Sequence, residues 1–150
     1  MTRDDLKPVL RHAREVRRML ENQKKTGTGF NLRAGRWPKT LEGACGLAAI
    51  HLAIRLRKPE SMRVGHFDCF CCDDGRIHHA WNVVGGFIVD ITATQFIADC
   101  KRIHVVHTNS KDARRYRERM RGHEAAEFID EWVYRDWKKL RSKLITATTP

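Results

Sequence analysis

The spacing of apolar residues predicts two helices in the first part of the chain. Between residues 6 and 20, leucine, valine, alanine and methionine recur at three- and four-residue steps, which is the period of an amphipathic helix at about residues 3–24. Residues 41–57 are apolar around most of the helical circumference. This second helix should therefore be central and buried.

Three runs rich in β-forming residues follow and predict an antiparallel meander. We expect strands at about residues 62–72, 77–84 and 87–91. The sequence Asp73-Asp74-Gly75-Arg76 separates the first two strands and Gly85-Gly86 separates the last two. Both are hairpin turn signals, because glycine adopts the positive φ that such turns need.

The last third of the chain predicts a fourth strand and a long helix. Residues 102–107 allow the strand, and residues 111–143 predict the helix, with a break near Gly122. The second half of that helix should pack through an apolar stripe formed by Trp132, Val133, Trp137 and Leu140. The 150 residues therefore predict one α+β domain, 1–150, with a central helix packed on an antiparallel sheet and flanking helices. No segment approaches the apolar length of a membrane span.

The cysteines and the N-terminus suggest where the protein resides. Five cysteines are an odd number, and three of them crowd into Cys69, Cys71 and Cys72. We therefore expect reduced thiols rather than a secreted disulfide framework. No apolar signal sequence is visible, so the expected location is the cytoplasm, or export by a system that needs no signal peptide. These cysteines with His66 and His78 leave a small zinc protein as an alternative. Strand alternation points Cys69 and Cys71 to one face and Cys72 to the other, however, and we expect no metal or cofactor.

The chain is strongly basic, with a formal charge of +11 from 29 basic and 18 acidic side chains. The excess is concentrated at residues 11–25 and 111–121, and it favours anionic partners. Neither stretch interleaves aromatic residues as a platform for single-stranded nucleic acid would. Solvated helix faces are the favoured interpretation, and a non-enzymatic module that binds nucleic acid or an acidic protein is the alternative.

One cysteine stands where a nucleophile is expected. Cys45 lies at the start of an apolar helix, between Ala44 and Gly46. The N–H groups and dipole of a helix N-terminus stabilise a thiolate, and the same N–H groups can stabilise an oxyanion. Small neighbours leave room for a substrate carbonyl, so Gly46 is a candidate substrate-binding residue.

A histidine and an aspartate follow on neighbouring strands. His79 and Asp90 are eleven residues apart, and the Gly85-Gly86 turn between them would bring them nearly opposite each other. An aspartate in this position fixes the orientation of an imidazole and stabilises the imidazolium. Strand alternation sends His78 to the other face, whereas Trp81 shares the face of His79. Trp81 is a candidate substrate-binding residue that would also shield His79 from water, with a plain core tryptophan as the alternative.

These residues carry a family resemblance. Cys45 at a helix start, His79-Ala80-Trp81 on one strand and Asp90-Ile91-Thr92 on the next resemble the core of transglutaminase-like and papain-like cysteine enzymes, over about residues 40–97. The resemblance implies a papain-like or transglutaminase-like fold. It also implies that Cys45 attacks an amide carbonyl, His79 shuttles the proton and Asp90 orients His79.

The resemblance also implies the class of reaction. We expect cysteine-dependent acyl transfer on a protein or peptide amide, as in a peptidase, a protein-glutamine deamidase or a transglutaminase, in a small bacterial or phage-type member such as a toxin or effector. Gln95 is a candidate substrate contact, with hydrogen bonding to its own loop as the alternative. Papain-type proteases carry a glutamine where this chain has Lys39. Gln23, Asn31 or backbone N–H groups are the candidates to replace it as oxyanion donors.

Overall fold

The computed structural model describes residues 2, 4–26, 44–69, 75–95, 97 and 102–133. Its helices are α1 (Lys7–Thr26), α2 (Cys45–Leu56) and α3 (Gly122–Val133). Its strands are β1 (Met62–Asp68), β2 (Arg76–Val84), β3 (Phe87–Asp90), β4 (His104–His107) and β5 (Tyr116–Arg121). This confirms the predicted α+β class. No helix among these residues is long and apolar enough to cross a bilayer.

The five strands form one antiparallel sheet in the order β4-β3-β2-β1-β5. The predicted meander of β1, β2 and β3 is confirmed, and the fourth strand adds to β3. Gly85 and Gly86 have φ values of 57° and 82°, and Val84 pairs with Phe87 across them. This two-residue turn fixes the register between β2 and β3.

Alternate residues of the strands contribute to two apolar clusters. Val64, Ala80 and Val89 belong to the larger cluster, which includes most of α2 and the buried faces of α1 and α3. The smaller cluster is formed by Phe67, Cys69, Trp81, Ile88, Ala113 and Tyr116. In α1 the predicted helical period is confirmed, because its buried residues fall at three- and four-residue steps: Leu6, Val9, Ala13, Val16 and Leu20.

The prediction of a helix over residues 111–121 is wrong. A short 3-10 turn at Asp112–Arg115 leads into β5, which pairs with β1. The two strands approach so closely that a Cβ on Gly65 would lie 1.9 Å from the carbonyl oxygen of Arg117. The predicted break at Gly122 is confirmed, since the chain turns there with φ of 57° and enters α3. The apolar stripe predicted beyond it involves side chains outside the described residues.

The expectation of reduced thiols is also wrong for one cysteine. Cys69 is disulfide-bonded, whereas Cys45 is a free thiol. Disulfides are rare in cytosolic proteins and common in exported ones. Cys71 and Cys72 lie outside the described residues. Within the residues that are described, no three of histidine, cysteine, aspartate or glutamate come together as a metal site.

Candidate active site

Cys45 is the first residue of α2 and has Ala44 as its N-cap. The first hydrogen bond of the helix runs from the Ala48 N–H to the Ala44 carbonyl, at 2.9 Å. The N–H groups of Cys45, Gly46 and Leu47 therefore have no acceptor within α2 itself. A helix N-terminus favours negative charge, which here is the charge of a thiolate and of an oxyanion next to it.

His79 and Asp90 meet inside the protein. The Nε2 atom of His79 lies 2.6 Å from Oδ2 of Asp90, and the exposed fractions of the two residues are 0% and 1%. The β2–β3 register accounts for this contact. Val83 lies opposite Ile88, and the period of two then places His79 and Asp90 on the same face of the sheet.

The Asp90 carboxylate receives hydrogen bonds at both oxygens. The Thr92 N–H donates to Oδ1 at 2.9 Å, and the Tyr116 hydroxyl donates to Oδ2 at 2.9 Å. Burial alone would raise the pKa of Asp90, but the charge of His79 and these hydrogen bonds lower it below its usual range. Asp90 is therefore an anion at neutral pH, although it is buried.

His79 links the carboxylate to the thiol. Burial alone would lower the pKa of His79, but the charge and hydrogen bond of Asp90, and then the hydrogen bond and charge of Cys45, raise it to about 10. Because Nε2 is bonded to Asp90, Nδ1 is the ring nitrogen that can serve the thiol. The arrangement favours an imidazolium, which has the Asp90 carboxylate on one side and the Cys45 thiol on the other.

Aromatic side chains surround the imidazole of His79. Trp81 stacks on it with ring centroids 5.9 Å apart and an angle of 23°, and Phe67 meets it edge-on at 6.1 Å. Tyr116 lies 6.2 Å from the same ring. Trp81 is only 2% exposed, so it shields His79 from water in the position predicted from the sequence. Shielding of this kind strengthens the electrostatic interactions of the site.

The other predicted substrate contacts have structural partners of their own. Gly46 is buried in the first turn of α2. Gln95 donates from Nε2 to Oγ1 of Thr92 at 3.1 Å, so it ties together the loop that follows Asp90. Of the side chains considered as oxyanion donors, Gln23 lies on α1 and Asn31 lies outside the described residues. The backbone N–H groups at the start of α2 are the donors that the geometry favours.

The two adjacent histidines are distinguished as predicted. His79 is buried within the site, whereas His78 is exposed and its ring lies 4.6 Å from the ring of His66. Alternation along β2 accounts for the difference, because neighbouring residues in a strand point to opposite faces. The pair therefore offers a matched comparison for experiments.

The sequence does not indicate two residues that support the site. It predicts a helix at Tyr116, and only the arginines at every second position, Arg117, Arg119 and Arg121, indicate a strand. It predicts a solvated face at Arg17, but Arg17 is 4% exposed and its Nη1 donates to the carbonyls of Ile91 and Arg102. It thereby anchors α1 to the segment that follows Asp90. No local signal distinguishes this arginine from its exposed neighbours.

Comparisons with protein-family models, with curated proteins and with solved structures found no match to this chain. The functional argument therefore rests on the side chains of the site and their geometry.

Proposed function

We propose that this protein is a cysteine-dependent acyltransferase or hydrolase that acts on amides, with a papain-like or transglutaminase-like arrangement of its core. The observation that carries the proposal is the buried His79–Asp90 pair, whose atoms lie 2.6 Å apart, with the Cys45 thiol near enough to His79 to help raise its pKa. A thiol at a helix start, an imidazole and a buried carboxylate in this order are the components of nucleophilic thiol catalysis.

The first half of the reaction forms a thioester. The Cys45 thiolate attacks the carbonyl carbon of the amide, and the carbonyl electrons move to oxygen, where the N–H groups at the start of α2 are suited to stabilise the charge. As the C–N bond breaks, the His79 imidazolium gives its proton to the departing amine. His79 is left neutral, and its hydrogen bond to Asp90 keeps the ring in place.

The second half of the reaction releases the acyl group. Neutral His79 removes a proton from the second substrate, whose oxygen or nitrogen attacks the thioester carbonyl. The C–S bond then breaks and restores the Cys45 thiolate beside the imidazolium. Water as the second substrate gives hydrolysis or deamidation, whereas an amine gives a cross-link. The residues of the site serve all of these outcomes equally.

An activated ester tests the proposal without knowledge of the natural substrate. We expect p-nitrophenyl acetate to place one acetyl group on Cys45, detected by peptide mass spectrometry, and Cys45→Ala to abolish that label. His79→Gln should slow acetylation by at least about 10⁴-fold, the loss found when one member of such a triad is removed.

His78→Gln is the matched control, since it makes the same change at an exposed neighbour, and it should acetylate at the wild-type rate. Equal rates for the two glutamine variants, or acetylation chiefly at another residue, would contradict the proposal. Incubation with candidate proteins, read by mass for cleavage, glutamine-to-glutamate conversion or cross-linking, then identifies the reaction.

A further inference from the structure

A groove of about 920 Å³ separates α1 from β4. Aliphatic side chains of both elements, Leu10 and Val105 among them, form its apolar lining. Its titratable lining residues are Arg14, Arg17, Arg18, Arg102, His104, His107 and Asp112. The groove is thus apolar at its walls and predominantly basic, which suits a ligand with both apolar and acidic groups.

Two of the arginines have no acidic partner among the described residues. Arg17 is bonded to Glu21 and to backbone carbonyls, and Arg102 also pairs with Glu21. Arg14 and Arg18, by contrast, are exposed and lie within 4 Å of no described carboxylate. They are four residues apart on α1 and so lie on the same side of the helix. Their charges are available to a ligand in the groove.

The opposite wall of the groove is the edge of the sheet. β4 pairs on one side with β3, and within the described residues it is the last strand of the sheet on that side. All four of its residues, His104–His107, line the groove. An edge strand presents backbone N–H and C=O groups to which an extended peptide can add as a further strand.

We propose that this groove binds an extended acidic segment of the protein substrate, which adds to β4 as a strand and places carboxylates against Arg14 and Arg18. Nucleic acid fits less well, because its sugar-phosphate backbone cannot pair with the strand edge. Burial lowers the pKa of His104, so the positive charge of the groove at neutral pH does not depend on that histidine.

The groove is connected to the candidate active site. His104 lies opposite Asp90 in the β3–β4 register. The His104 ring stacks on Tyr116 at 6.3 Å and 17°, and Tyr116 is the residue that donates to Asp90. A peptide on β4 would therefore be separated from Asp90 by one strand. That the peptide belongs to the substrate rests on the proposed acyl transfer, whereas the preference of the groove for an acidic strand does not.

Binding can be measured without catalysis. We would use the full-length Cys45→Ala protein and a fluorescent peptide of alternating glutamate and valine, about six residues long, the usual length of a strand. Fluorescence anisotropy should report binding that weakens at least about tenfold in the double variant Arg14→Glu/Arg18→Glu, since two favourable charge contacts become repulsive. A peptide with lysine in place of glutamate should not bind.

A matched double variant separates local from general charge effects. Arg76→Glu/Arg119→Glu alters two exposed arginines that lie near His66, away from the groove. Each double variant lowers the formal charge from +11 by four, to +7. The control should bind the peptide as tightly as the parent protein does, and circular dichroism should show both variants folded. Equal weakening in the two variants would overturn the groove assignment.

Two further probes test the mode of binding. N-methylation of alternate peptide amides should abolish binding, because it removes the donors that pair with an edge strand. Undiminished binding of the methylated peptide, or equal displacement by a single-stranded DNA oligomer of the same charge, would overturn the strand model. If the peptide binds as expected but Cys45 does not acetylate, the groove stands and the proposed catalysis fails. If Cys45 acetylates as expected but the peptide does not bind, the proposed catalysis stands and the groove assignment fails.

Discussion

The triad and the α1–β4 groove contain charged side chains in opposite circumstances. Asp90 and His79 are almost completely buried, and each of them is matched by a partner within the protein. Arg14 and Arg18 are exposed and have no carboxylate partner among the described residues. Buried charges must be paired within the protein because their desolvation is costly. Exposed charges are hydrated and remain available to a ligand. The contrast suggests that chemistry and recognition reside in separate parts of the molecule.

Among variants that keep Cys45 and His79, the largest effect should come from the buried carboxylate. Asp90→Asn keeps the shape of the side chain but removes the charge that holds His79 as an imidazolium, so acetylation of Cys45 should fall by roughly 10⁴-fold. Binding of the acidic peptide should be unchanged, because the groove arginines are untouched. Stopped-flow kinetics with p-nitrophenyl acetate and anisotropy measure the two quantities.

Asp68→Asn is the control for that variant. Asp68 pairs with Arg117 at 2.9 Å on the surface, where the Arg117 side chain is 65% exposed, and such pairs contribute little. Cys45 of the Asp68→Asn variant should therefore be acetylated at the wild-type rate. If Asp90→Asn lost peptide binding to the same extent as acetylation, the two regions would not be separate.

The positions of His79 and Asp90 relative to each other could be predicted from the sequence, because local signals determine them. Gly85-Gly86 fixes the β2–β3 register, and that register together with strand alternation selects His79 over His78 and aligns it with Asp90. The apolar period likewise located α1 and α2. These features depend on residues close in the sequence, where periodicity and turn chemistry are informative.

The features that could not be predicted depend on contacts between residues far apart in the sequence. Tyr116 donates to Asp90 from β5, which is separated from β3 by β2 and β1 in the sheet. The many arginines of this strand are also typical of an exposed helix. The approach of β1 and β5 at Gly65 became apparent only in the folded chain. The groove combines α1 with β4, which are separated by about eighty residues of sequence, and no local pattern indicates such a pairing.

A second prediction concerns pH and distinguishes buried from exposed charge. The folded pKa of His79 is raised from 6.5 to about 10, so its contribution to stability is full below pH 6.5 and is lost as pH rises toward 10. The folded pKa of Asp90 lies below its ordinary value of 3.8, so its contribution is full above that value and is lost as pH falls. The free energy of unfolding should therefore differ most between wild type and Asp90→Asn at about pH 4–6.5.

Denaturant unfolding across this range measures the difference directly. The difference in the free energy of unfolding between wild type and Asp90→Asn should shrink by at least about 1.4 kcal/mol between pH 6 and 10, the equivalent of one pKa unit. The Asp68→Asn control removes a surface pair, and its difference from wild type should stay small throughout. A difference for Asp90→Asn that did not vary with pH would mean that His79 and Asp90 are not a charged pair in the folded protein.

The smallest predicted effect tests Tyr116 as a positioning residue. Tyr116→Phe removes one of the hydrogen bonds to the Asp90 carboxylate and should slow acetylation by about tenfold, which corresponds to about 1.4 kcal/mol. The Tyr116 hydrogen bond helps to lower the pKa of Asp90, so its loss should move the acid limb of the rate profile to higher pH. Thr92→Val removes the longer 3.4 Å hydroxyl contact with Asp90 and the bond from Gln95, but it keeps the 2.9 Å N–H bond to Asp90. It should therefore have a smaller effect on both the rate and the acid limb. A slower rate with an unmoved acid limb would show that Tyr116 acts only in packing.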